Sequence, residues 1–88
     1  MKVLKIGATW CPECVTMRPM WEEIESEMPQ LETEYYEADD NADMLNKYQI
    51  ENIPTFIFLD KDGEEISRLS GLQSKDHLKE KINEWWDK

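Results

Sequence analysis

Three observations predict an α/β fold with elements in the order β-α-β-α-β-β-α. Apolar residues return at three- and four-residue steps after Pro12 and again after Ser74, the period of amphipathic helices. A continuous run of strand formers, "TFIFL", fills 55–59 and suggests a central strand. Between that run and "EEISRL" lies "DKDG", a hairpin turn in which Gly63 is free to take positive φ.

Taken in order, "KVLKIGA" at 2–8 reads as a short, mostly apolar strand leading into a loop. From Pro12 to Met28 the reading is helical, with Met17, Met20, Ile24 and Met28 on one stripe. Pro19 lies inside this helix and should kink it, because proline removes an N–H and crowds the preceding turn. The pair Met28-Pro29 ends it. "LETEYYEA" at 31–38 reads as a second strand, and "DDNADMLNKY" as a short helix capped by Asp40 or Asn41. After the hairpin, Ser74 caps a last helix whose apolar stripe is Leu78, Ile82, Trp85 and Trp86. At this spacing the methionine and tryptophan stripes read as core rather than as a binding surface.

The 88 residues are expected to form one domain, 1–88, since a second core does not fit in so short a chain. With 40% hydrophobic residues the chain is too apolar to stay disordered, whatever its charge. That charge is −10, which repels phosphate backbones and anionic membranes, so neither nucleic acid nor membrane is an expected partner. The N-terminal apolar run is broken by Lys5 and falls far short of a secretory segment or of the roughly 20 residues of a membrane span. The cytosol is the expected compartment. Thiols are kept reduced there, and a lone static disulfide is out of place.

Both cysteines lie in "ATWCPECVTMRP", two residues apart. A closed zinc site needs four ligands, and the chain offers two cysteines and the distant His77, which reads as an exposed helix residue. No metal is expected. A static disulfide across two residues closes a very small loop and gains little. A redox dithiol suits the surroundings better, because a strand runs through a turn into a helix whose N-cap or first position is Cys11. Unpaired N–H groups and the helix dipole favour a thiolate there. Cys14, one turn on, is close enough to attack a mixed disulfide formed at Cys11. Cys11 is therefore expected to be the nucleophile and the more exposed of the two. Pro12 suits the first helical turn, and Trp10 offers an apolar wall.

On these residues the chain resembles the thioredoxin family. "WCPEC" is similar to that family's Trp-Cys-x-x-Cys loop, and Pro19 matches the proline of its active-site helix. "KYQIENIPTFIFL" resembles the segment that carries the family's cis-proline, here Pro54 after Ile53, and Gly71 falls where the family has a glycine near the site. The resemblance spans nearly the whole chain. It implies a thioredoxin fold, a four-stranded mixed sheet flanked by helices, in a trimmed version closer in size to glutaredoxin. It also implies that Trp10, Pro12, Ile53, Pro54 and Gly71 contact substrate, and that Ile53 pairs with a substrate strand by edge addition.

Four features depart from the family pattern. The extra N-terminal strand and helix are missing, Gly7 stands where many thioredoxins carry tryptophan, and the dipeptide between the cysteines is Pro-Glu. Finally, Lys5 stands where thioredoxins usually bury an aspartate. Two readings of Lys5 are open. Either it snorkels to the sheet edge, or it pairs with a carboxylate on the adjacent strand, Glu37 first and Glu34 second, and tunes Cys14. Tyr35 falls where the family often has lysine. Glu13 places negative charge beside the thiols, which disfavours the charged reduced form and makes the dithiol a better donor.

The leading expectation is a monomeric thiol-disulfide oxidoreductase that reduces protein disulfides through a Cys11/Cys14 cycle. It needs no cofactor beyond that redox-active pair, and a flavoprotein reductase or another dithiol donor recharges it. Two alternatives stand beside it. A glutaredoxin-like enzyme would use glutathione, although an anionic ligand suits so acidic a chain poorly. A non-catalytic thioredoxin-fold binding module would need neither sulfur.

Overall fold

In the computed structural model, residues 1–87 are described. Strand β1 (Lys2–Gly7) leads into helix α1 (Pro12–Glu27), then strand β2 (Glu32–Glu37). A 3₁₀ turn at Ala38–Asp40 precedes helix α2 (Ala42–Lys47), and strands β3 (Thr55–Leu59) and β4 (Glu65–Ser70) precede helix α3 (Lys75–Trp85). The strands form one mixed sheet in the order β2-β1-β3-β4. β1 runs parallel to β2 and antiparallel to β3, which is antiparallel to β4.

Strand alternation sends side chains to two cores. On one face Val3, Phe56 and Phe58 pack with Met17, Trp21 and Ile24 of α1 and with Leu78 and Ile82 of α3. On the other, Leu4, Ile6, Ile57 and Leu59 pack with Ala38 and with Met44 and Leu45 of α2. Every residue of β3 is buried, as a central strand covered on both faces requires. The α1 stripe differs from the periodic reading: Met17 and Ile24 are buried as expected and Trp21 joins them, whereas Met20 and Met28 are only half-buried, and Met28 is the C-cap, one residue beyond the helix.

Local signals explain the boundaries. Ser74 Oγ accepts from His77 N at 3.1 Å and opens α3. Asp60 Oδ1 accepts from Asp62 N and Glu64 N at 2.8 and 3.0 Å, and Gly63 takes φ 83°, closing the hairpin as expected. Asn41 holds the N-cap position of α2 but does not cap it with its side chain. Its amide instead donates to Glu37 O at 2.8 Å, tying the helix back to the end of β2. Pro19 lies inside α1, which continues to Glu27. No helix among the described residues is long and apolar enough to cross a membrane.

Candidate active site

Strand β1 ends at Gly7, and the next four residues carry the chain over the end of the sheet into α1. Cys11 is the N-cap of that helix, with extended φ/ψ of −89°/114°, and Pro12 takes the first helical position. The Cys11 sulfur stands where a capping oxygen usually does, accepting from Cys14 N at 3.3 Å. Its own N–H donates to Ala8 O at 3.2 Å. Both cysteines are free thiols, packed with Ala8 and Ile53.

Cys11 was expected to be the more exposed, but it is 5% exposed against 9% for Cys14. The order reverses because Cys14 borders a cavity between α1 and the sheet, while Cys11 is covered by Ala8 and Ile53. Burial pushes the Cys14 thiol up to about 11, helped by its side-chain hydrogen bond to the Cys11 sulfur and by the negative charge of Glu13.

The other residues expected at the site gather around this loop. The Ile53-Pro54 bond is cis, and Ile53 packs against the cysteines. Gly71, at φ 80°, donates its N–H to Pro54 O at 2.8 Å, a left-handed conformation that favours glycine. Glu13 is exposed beside it, with Oε2 4.0 Å from where a Gly71 side chain would begin. Trp10 is 65% exposed, and Leu72 is also exposed, so apolar surface flanks the buried sulfurs. The Trp10 indole does not stand free. Its Nε1 donates to Asp39 Oδ2 at 2.8 Å, a partner the sequence reading missed.

Lys5 takes neither expected course. β1 is an interior strand, so Lys5 has no sheet edge to reach, and its side chain is only 17% exposed. It pairs across the layer with Glu25 of α1, Nζ to Oε2 at 2.5 Å, and lies 5.7 Å from the Trp21 ring centroid. Thr33 Oγ1 donates to the same Glu25 oxygen at 3.0 Å. Glu37 instead accepts from Thr9 N at 3.2 Å and from Tyr35 Oη at 2.9 Å, bracing the loop ahead of Trp10. Glu34 is held by Lys2 and the Tyr36 hydroxyl.

Glu25 and Trp21 are the site residues that sequence reasoning did not find. Glu25 lies four residues after Trp21 on the α1 stripe, and that spacing was the only available signal. Together with Lys5, Gly7, Cys14 and Tyr35 they border the cavity, of about 370 Å³. Among the described residues no group of three or more His, Cys, Asp or Glu is placed to hold a metal ion.

Comparison with known proteins agrees with this arrangement. The thioredoxin family model matches residues 1–84. Thioredoxin of Chlamydia pneumoniae is 35% identical over 76 residues, 86% of this chain and 74% of the relative. A stretch of human Glutaredoxin-3 is 32% identical over 77 residues, but those make up only 23% of that protein. Among solved structures, Fasciola hepatica thioredoxin superposes with a TM-score of 0.87 at 33% identity, covering 96% of this chain and 79% of that one. A chain matched from residue 1 to residue 84, with a thioredoxin's backbone over nearly its whole length, belongs to the thioredoxin family of thiol-disulfide oxidoreductases.

Proposed function

We propose that this protein reduces disulfides of other proteins, with Cys11 as the attacking sulfur and Cys14 as the resolving one. The observation that carries the reading is the Cys11 sulfur at the N-terminus of a 16-residue helix, accepting the Cys14 N–H. Helix N–H groups and the dipole stabilise negative charge on that sulfur. The Cys11 thiolate attacks one sulfur of a substrate disulfide and releases the other as a thiolate. Cys14, deprotonated, then attacks Cys11, forming the Cys11–Cys14 bond and freeing the second substrate sulfur. Two electrons pass from the dithiol to the substrate.

Exposed Trp10 and Pro12, with Ile53, Pro54 and Gly71 around the sulfurs, supply the surface on which a substrate segment docks. The carboxylate of Glu13 disfavours thiolate charge nearby and makes the dithiol the stronger donor. A flavoprotein reductase or another dithiol donor recharges the pair, in the cytoplasm, and the protein acts as a monomer without a further cofactor.

The test is turnover of a disulfide-containing protein with a chemical dithiol as reductant. Cys11→Ser should abolish turnover, and Cys14→Ser should accumulate a mixed disulfide at Cys11. Full activity in the double serine variant would leave a binding module. Turnover that appears only with glutathione would leave the glutaredoxin-like reading.

A further inference from the structure

The large apolar side chains left exposed among the described residues are Trp10, Val15, Tyr35 and Leu72. All of them lie around the cysteine loop. Trp10 precedes Cys11 and Val15 follows Cys14. Tyr35 brings a ring carbon to 3.6 Å from where a Gly7 side chain would begin, beside Cys14, and Leu72 follows Gly71. Exposed apolar surface gathered in one place marks a contact with another chain. One free charge stands inside it.

Glu13, between the two cysteines, is exposed and takes part in no hydrogen bond or ion pair among the described residues. Its Oε2 comes to 4.0 Å from where a Gly71 side chain would begin, so the carboxylate leans from the first turn of α1 towards the loop after β4. Gly71 is bonded to Pro54 O, and Ile53 packs on the cysteines. A segment that lies over Ile53 and Pro54 to reach the Cys11 sulfur therefore passes the Glu13 carboxylate.

Neighbouring charges leave that carboxylate unanswered. Glu37 and Asp39 are acids already engaged, the first by Thr9 and Tyr35 and the second by Trp10. Glu51, two residues before Ile53, is exposed and of the same sign. Arg18, the only basic residue of α1, borders the cavity between helix and sheet. An acid in the first turn also suits the helix dipole, but that benefit is indifferent to the charge of whatever docks.

We propose that Glu13 selects the substrate: the disulfide this protein reduces lies beside a lysine or arginine, whose cation pairs with Glu13 while apolar neighbours rest on Trp10 and Leu72. This rests on the redox reading above and deepens it by naming a substrate class, disulfides in basic protein segments. The pairing is non-covalent, forms as the segment docks, and leaves the electrons and protons of the exchange unchanged. A lysine there is attracted and a glutamate repelled, and the chain's charge of −10 acts in the same direction at longer range.

The test measures how fast reduced protein consumes three peptide disulfides, followed by acid quench and chromatography. Each is two copies of a short chain joined through its single cysteine, which has lysine, serine or glutamate on both sides. In about 0.1 M salt the parent should consume the lysine peptide at least about fivefold faster than the glutamate peptide. Glu13→Gln should shrink that ratio at least about twofold, and Glu13→Lys should shrink it further. Comparing ratios between proteins cancels the intrinsic reactivity of each peptide and any change in the donor strength of the dithiol. Glu64→Gln removes the same charge from the hairpin at the opposite end of the sheet. Its ratio should stay within about 1.5-fold of the parent's, because a distant charge is screened over about 10 Å. In about 1 M salt the parent's preference should shrink towards that of Glu13→Gln. A ratio unchanged in Glu13→Gln, equally shrunk in Glu64→Gln, or insensitive to salt overturns the proposal. If the parent consumes all three peptides alike, the redox reading stands and the role of Glu13 falls. If it consumes none of them, the redox reading itself fails and takes this inference with it.

Discussion

Gly7→Ala should destabilise this protein, although the substitution usually does the reverse at a site of ordinary backbone conformation. Gly7 lies at the end of β1 without a left-handed φ, so alanine fits the backbone there. Stiffening the unfolded chain would by itself stabilise by about 0.4–1 kcal/mol. The new Cβ, however, would lie 3.0 Å from Cys14 Sγ and 3.3 Å from Cys14 Cβ. Favourable contacts between such atoms lie at roughly 3.5–4.0 Å, so the encroachment is about 0.5–1 Å at the sulfur. Turning Sγ aside does not relieve the Cβ contact, which is fixed by the first turn of α1. Overpacking of this kind costs about 1–3 kcal/mol, leaving a net loss of about 1–2 kcal/mol. For a domain this small each kcal/mol lowers Tm by roughly 4–8 °C. Thermal unfolding of the reduced protein, followed by circular dichroism, measures the loss. Repeating the substitution in Cys14→Ala locates it, since without Sγ the closest contact is gone and the cost should fall by about 0.5–1.5 kcal/mol. A raised Tm, or the same cost in both backgrounds, would refute the steric argument.

Three further outcomes follow from other parts of the molecule. Lys75 and Lys79 of α3 pair with Glu27 at the end of α1 and hold its carboxyl down to about 2, below its ordinary 4.5. The folded state's lower value means this stabilisation is present above 4.5 and vanishes as pH falls through 2. Glu27→Gln should therefore lower Tm at neutral pH and match the parent near pH 2; added salt should narrow the neutral-pH gap, because the pair is exposed. Ile24→Ala, at a fully buried position between α1 and the sheet, should cost about 2–5 kcal/mol in denaturant unfolding, and a loss under about 1 kcal/mol would show that the core collapses around the site. In Cys11→Ser, alkylation of Cys14 should keep accelerating with pH well beyond the free-thiol value of 9.0, since burial, the largest cause of its shift, does not depend on Cys11; a plateau near 9.0 would contradict this.

Much of the molecule was legible along the chain because its signals are local. The order of elements follows from the helical stripes, the apolar run at 55–59 and the hairpin at Gly63, each a property of a few neighbouring residues. The Ser74 cap and the position of Cys11 at the start of α1 are equally local, and both stand where the sequence puts them. Resemblance to a family added Pro54 and Gly71, which are distant in sequence and joined in space by one backbone hydrogen bond.

What the tertiary structure alone decided lies between layers. Strand alternation shows which face of the sheet Lys5 occupies, but not which α1 residue meets it. That depends on where a helix one layer away docks, and docking is settled by the whole core of Val3, Met17, Trp21 and Phe56. The nearest carboxylates by strand register, Glu34 and Glu37, were already engaged by Lys2 and Tyr36, and by Thr9 and Tyr35. Exposure of the two cysteines is likewise a property of neighbours. A helix N-terminus by itself would present Cys11 to solvent, yet Ala8 and Ile53 cover it, while the space beside Gly7 opens Cys14 to the cavity. One residue's chemistry can be read from its type and its near neighbours in the chain, whereas its partner across a layer is chosen by the packing of every side chain between them.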